Sequence, residues 1–183
     1  MCFYNFFFKF SMKKTILAIS LLLFMSVSSF AKKTEDMYVM RHTTQGQLFF
    51  ITENIFPSTD RTFELPFDIT YLNTSDTLSI KMTVSSNTLT HVDSVALVQS
   101  GVRYVCQMAH SIYKEKDKKN WVHRCDCAFS YKDTKMCMIH PTPPQIVVYT
   151  TTGRHTYAMT QQQWQKFVPH LREIFMLIDA SKR

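Results

Sequence analysis

Residues 66–84, "PFDITYLNTSDTLSIKMTV", hold the pattern that decides the fold. Phe67, Ile69 and Tyr71 alternate with Asp68 and Thr70. After the polar loop Asn73-Thr74-Ser75-Asp76, Leu78, Ile80, Met82 and Val84 alternate with Ser79, Lys81 and Thr83. A period of two sends successive side chains to opposite faces of a strand, so each half of the stretch has one apolar face. Closing the loop sets Tyr71 opposite Leu78 and Ile69 opposite Ile80, with the apolar residues of both strands on one side. A one-residue slip would turn a whole apolar set to water, so burial selects this register.

The same period continues on either side. "DSVALVQSGVRYVCQMA" (93–109) reads as a hairpin turning at Ser100-Gly101, and "PQIVVYTTTGRHTYAM" (144–159) as another turning at Thr152-Gly153. Upstream, "MYVMRH" (37–42) and "QLFFITENIF" (47–56) are β-branched and aromatic, with Gly46 between them. Pro57, Pro66 and the Pro141/Pro143/Pro144 cluster fall between runs, where a missing backbone donor does no harm. About nine strands at hairpin spacing predict an α+β, mostly β fold: an antiparallel β-sandwich or barrel-like sheet.

The period changes at Thr160. Thr160 and Gln163 stand at the N-cap and N3 positions of a capping box. Trp164, Phe167, Leu171, Ile174, Phe175 and Ile178 follow at three- and four-residue spacing. They predict one C-terminal amphipathic helix over 161–179, kinked or broken at Pro169. Its polar face, with Gln165, Lys166, Arg172 and Glu173, is too weakly basic for a lipid-binding helix, so the apolar stripe is expected to close the core. No repeat, low-complexity tract or linker divides residues 32–183, and a single β-rich domain is expected there.

The N-terminus reads differently. Lys13-Lys14 precede the apolar run "TILAISLLLFM", and small residues lead to Ser29-Phe30-Ala31. This is the layout of a secretory signal peptide cleaved after Ala31, and the run is shorter than the ~20 apolar residues a spanning helix needs. Met12 begins a complete signal by itself, so residues 1–11 read as an N-terminal extension ahead of the true start. The short Lys-Lys region suits a bacterial protein exported to the periplasm or beyond, with no stable membrane insertion after cleavage.

Export also frames the charge. The full chain has 21 Lys and Arg against 14 Asp and Glu; removing residues 1–31 takes Lys9, Lys13 and Lys14 and leaves +4 on 152 residues. That mild excess, together with export, excludes a nucleic-acid binder, which concentrates basic charge on one face. The run Lys114 to Lys119, with Glu115 and Asp117 among the lysines, is expected to be the solvated tip of a hairpin whose loop covers Ser111 to Asn120.

The chemistry-bearing residues gather in "WVHRCDCAFSYKDTKMCMIHP" (121–141). On a strand, Trp121, His123, Cys125, Cys127 and Phe129 share a face, and the more polar alternate set marks the outside. A hairpin over the charged loop would bring Cys106 opposite Cys125, and a tight turn at Tyr131-Lys132-Asp133 would bring Cys127 opposite Cys137. Buried free thiols and disulfides (106–125 and 127–137) are the two main expectations for an exported protein. A metal site drawing on Cys106, Cys125, Cys127, Cys137, His123 and His140 is the alternative, whether zinc or, with Met136 and Met138, copper(I). The spacing lacks paired C-x2-C knuckles, however, and no cofactor is implied. Cys125-Asp126-Cys127 lacks the helix N-terminus that activates a reactive dithiol.

No nucleophile elbow, zinc-protease pair, phosphate loop or dinucleotide fingerprint occurs. His123 and Cys125 could form a Cys–His pair, but nothing in the sequence supplies an oxyanion hole or an orienting group. The expected function is therefore an exported, non-catalytic envelope protein that binds another protein, a glycan or a small apolar ligand. A metal- or thiol-dependent periplasmic protein centred on the four cysteines is the alternative.

Overall fold

The computed structural model describes residues 33–60 and 62–182. The signal peptide read at residues 1–31 lies outside the described residues. After a 3₁₀ turn at Thr34–Met37, the chain runs through β1 (Tyr38–Thr43), β2 (Gly46–Pro57), β3 (Glu64–Leu72), β4 (Thr77–Ser86) and β5 (Val92–Gln99). It continues through β6 (Val102–Cys106), β7 (His110–Asp117), β8 (Asn120–Ser130), helix α1 (Tyr131–Met138), β9 (Gln145–Thr150), β10 (Gly153–Ala158) and helix α2 (Gln161–Ser181). The mostly β, α+β architecture expected from the sequence is the one observed, with two antiparallel sheets that do not close into a barrel. The larger sheet has the order β1-β2-β3-β4-β8-β7 and the smaller β10-β9-β5-β6.

The β3–β4 hairpin has the register its apolar alternation demands, with Tyr71 opposite Leu78 and Ile69 opposite Ile80. The β5–β6 turn falls at Ser100-Gly101, both with positive φ (51° and 84°), the backbone that suits a two-residue hairpin. The β9–β10 turn sits one residue earlier than expected, at Thr151-Thr152, because Gly153 pairs with Thr150.

One core joins the layers. The inner face of the larger sheet is covered in two ways. The smaller sheet lies over its β8 side, where β6 approaches β8. Helix α2 lies over its β2–β3 side, where the Trp164 and Phe56 rings stand 6.2 Å apart and Asn73 Nδ2 donates to Ser181 O at 2.8 Å. The capping box forms as read: Gln163 N–H donates to Thr160 Oγ1 at 3.2 Å, and Thr160 N–H to Gln163 Oε1 at 2.9 Å.

Four further expectations fail. Pro66 does not fall between strands but lies inside β3, opposite Ile55 of β2. The segment after Ser130 is not a turn and a strand but helix α1. Ser130 Oγ caps Asp133 N–H, and Tyr131, Thr134, Cys137 and Met138 form its buried stripe. The charged run is mainly strand: β7 hydrogen-bonds to β8 through Asp117, leaving only Lys118-Lys119 as the tip. Pro169 does not break α2, which continues from Gln161 to Ser181. Pro169 is on the exposed face, where the Gln165 carbonyl that loses its partner can meet water.

Candidate functional site

The position of each sulfur follows from its strand. Cys125 and Cys127 point inward from β8, opposite Met82 and Ile80 of β4. Cys106 ends β6 in the other sheet, opposite Val95. The expected strand pairings of Cys106 with Cys125 and of Cys127 with Cys137 are therefore absent; Cys125 faces Ser111 of β7 on its other side. Sheet packing makes the contact that strand pairing does not. The Cys127 thiol has Cys125 and Cys106 as neighbours, and Cys125 first, then burial, then Cys106 raise its pKa far above the ordinary thiol value. Cys106 donates its S–H to Met108 O at 3.2 Å.

Cys137 is carried by α1 instead, where burial and then the Asp133 carboxylate push its thiol up to about 11. The four cysteines among the described residues are all buried, free thiols. A buried thiol held protonated is a poor nucleophile and a poor metal ligand, because the thiolate does both jobs. Among the described residues, no group of three or more His, Cys, Asp or Glu side chains is arranged to hold a metal ion.

The two candidate histidines are committed elsewhere. His123 is 3 % exposed. Val92 N–H donates to its Nδ1 at 3.3 Å, which leaves the ring proton on Nε2, 3.0 Å from Ser111 Oγ. In that tautomer Nε2 donates, and no ring nitrogen is left to draw a proton from Cys125 or Ser111. His91 stacks on His123 at 5.6 Å between centroids, and Lys114 Nζ lies 2.9 Å from His91 Nδ1. Burial first, then Lys114 and His91, lower the His123 pKa to about 4. His140, at the end of α1, has its Nδ1 2.7 Å from Gln99 Nε2, accepts Thr142 N–H at 3.2 Å, and offers its carbonyl to Trp164 Nε1 at 2.7 Å. It fastens α2 to the end of β5.

A different feature was missed by sequence reasoning. The segment from β6 to β7 forms adjacent edges of both sheets and exposes Val102, Val105, Met108, Ile112 and Tyr113. β7 is exposed along its whole length. The signal was present: "VRYV" and "SIY" place apolar residues next to one another instead of alternating, so no register buries them all. Elsewhere, an open cleft of about 640 Å³ runs between the 3₁₀ turn and α2, lined by Lys33, Glu35, Tyr38, Glu173, Met176 and Leu177.

A scan against protein-family models finds no match, and neither a search of curated proteins nor one of solved structures returns a significant similarity.

Proposed function

We propose that the chain is an exported, non-catalytic binding module of the bacterial envelope. Its binding surface is the β6–β7 margin, and its partner is an extended segment of another protein. The observation that carries this reading is the combination at one margin, among the described residues, of an unpaired strand edge with five exposed large apolar side chains. Exposed edges are templates for strand addition, and apolar side chains beside one add contact area to the main-chain hydrogen bonds. Export rests on the leader at residues 1–31. Among the glycan, small-ligand and protein partners, the strand edge favours protein. A second reading, a thiol-dependent protein, is favoured by the meeting of Cys106, Cys125 and Cys127.

A photo-crosslinking side chain in place of Tyr113, on the margin, and another in place of Lys81, on the outer face of β4, test the proposal in cells. A discrete crosslinked partner from position 113, lost on Ile112→Pro and absent from position 81, is the expected result. Equal or absent crosslinking from both positions would overturn it. Export has its own measurement: the mature protein should begin at Lys32, and an uncleaved protein retained in the cytoplasm would remove that part of the reading.

A further inference from the structure

We infer that the strand taken up by β7 carries alternating charges, with acidic residues opposite Lys114 and Lys116 and basic residues opposite Glu115 and Asp117, and turns apolar opposite Tyr113. The inference rests on the strand-edge reading above and adds the chemistry of the partner. β7 is the last strand of the larger sheet, and among the described residues no strand pairs with its far side. Its ladder to β8 sets how much of that edge is usable. Ser111 stands opposite Cys125 and Tyr113 opposite Arg124, two adjacent residues of β8, so Ile112 is the extra residue of a β-bulge. A bulge bends its strand and interrupts pairing, so an added ladder breaks there as the existing one does. At the other end Lys118, with φ 55°, begins the turn into β8. Between these limits Tyr113 to Asp117 keep continuous register with β8.

That usable stretch is charged at every position but one, and the charges are sorted by face. Lys114 and Lys116 stand opposite His123 and Trp121 on one face, and Tyr113, Glu115 and Asp117 opposite Arg124, Val122 and Asn120 on the other. Lys114 Nζ donates to His91 Nδ1 at 2.9 Å, and an ammonium has two more N–H groups for a carboxylate on the incoming strand. Main-chain hydrogen bonds to an edge are the same for any sequence, so the side chains opposite these residues do the selecting. Opposite charges directly across a ladder stabilise it, and like charges oppose it. The larger sheet is antiparallel throughout, and antiparallel pairing is slightly the stronger per residue. Read from its N-terminus, the partner therefore runs basic, acidic, basic, acidic, and then β-branched or aromatic opposite Tyr113. Past that point the margin is apolar, with Ile112 and Met108 exposed, and favours an apolar continuation.

The test titrates the isotopically labelled protein with two synthetic peptides of one composition and follows the backbone amides of Tyr113 to Asp117 by NMR. The matched probe is Thr-Lys-Glu-Lys-Glu-Val-Thr. The blocked probe is Thr-Lys-Lys-Glu-Glu-Val-Thr, whose charges cannot alternate in any register. The matched probe should shift these amides with a Kd at least about tenfold below that of the blocked probe. Raising the salt concentration should narrow the gap, because the pairs are open to water. Lys114→Glu with Lys116→Glu, at two exposed positions, should remove the preference, and the variant's own spectrum reports that its fold is kept. Equal affinity of the two probes for the wild type would overturn the inference while leaving strand addition standing. Amides of β7 that respond to neither probe would overturn the strand-edge reading along with it. Shifts of the same amides on diluting the protein alone would put a second copy on the edge, and the partner proposed here would fall.

Discussion

β4 and β7 flank the same strand, β8, yet they are buried in opposite ways. β4 alternates buried and half-buried residues from Leu78 to Ser86, whereas every residue of β7 is exposed. Both make antiparallel ladders to β8, so hydrogen bonding does not separate them. What lies over them does. Ile80 and Met82 of β4 sit beside Cys127 and Cys125 in the shared core, where the smaller sheet closes the other side. That sheet ends at β6 over β8, and β7 projects past it. A ladder is enough to make a strand; a second layer is what makes a strand stabilising, because apolar burial supplies most of the favourable energy.

The largest expected effect tests that distinction directly. Ile80→Ala, at a fully buried site opposite Cys127, should cost about 3 kcal/mol, within the range for large-to-small core changes. Glu115→Ala on β7 should stay within about 0.5 kcal/mol, as surface changes usually do. Denaturant unfolding measures both. Equal losses would mean that β7 is covered and that the comparison is false.

Next comes His123, the β8 residue directly opposite Lys114 of β7 and the place where the covered and uncovered regions meet. Its pKa is about 4 in the folded protein, lowered by burial, Lys114 and His91, and returns towards 6.5 on unfolding. Above pH 6.5 the imidazole is neutral in both states, and the shift has no effect on stability. As pH falls from 6.5 towards 4, the unfolded chain takes up a proton that the folded chain refuses, so stability falls, by up to about 3 kcal/mol in all. Because carboxylates titrate in the same range, the informative quantity is the difference between the wild type and His123→Gln. The variant should lose part of the slope between pH 4 and 6.5, and identical slopes would show that His123 is not held neutral.

Half of this contrast was legible in the sequence. The alternation in residues 66–84 encodes β3 and β4 because each apolar residue has one dry side to fill, and the capping box at Thr160 and Gln163 is a purely local signal. α1 was legible in principle, since Tyr131, Thr134, Cys137 and Met138 recur at helical spacing behind Ser130. The run Met136-Cys137-Met138 disguised it as a strand. The order β4-β8-β7 and the meeting of Cys106 with Cys127 were not legible. They depend on pairing between strands distant in sequence and on where one sheet stops over the other, and no local pattern records either.

The outer face of β4 and β8 gives a smaller test. Arg124 of β8 forms an ion pair with Asp68 of β3 and donates from its Nη1 to Thr83 Oγ1 of β4 at 2.8 Å, so one guanidinium spans three strands. Both partners are partly open to water, where such pairs contribute at most about 1 kcal/mol. Asp68→Asn should therefore lower stability by less than Ile80→Ala does, and raising the salt concentration should shrink its effect. A loss as large as that of Ile80→Ala would place the outer face, and not the covered inner one, at the centre of the fold's stability.

The smallest effect on stability goes with a large one on association. Along β7, Lys114 and Lys116 share the face of His123 and Trp121, while Glu115 and Asp117 take the other. Opposed residues of an antiparallel ladder always project to the same face. Two copies joined antiparallel, edge to edge through β7, would therefore set lysine against lysine on one face and acid against acid on the other, in every register that keeps the ladder. The pattern repels a second copy while remaining open to a foreign strand of inverse alternation, with acids opposite the lysines. Charged residues on an exposed edge act against self-pairing in this way. Replacing Lys114 and Lys116 together by Thr should leave the unfolding free energy within about 0.5 kcal/mol of wild type at neutral pH. The same change removes the repulsion on one face and adds β-branched residues to a free edge, so the double variant should dimerise or aggregate at concentrations where the wild type does not. Sedimentation of both proteins at matched concentrations reads this directly. A variant as monodisperse as the wild type would mean that something other than charge guards the edge.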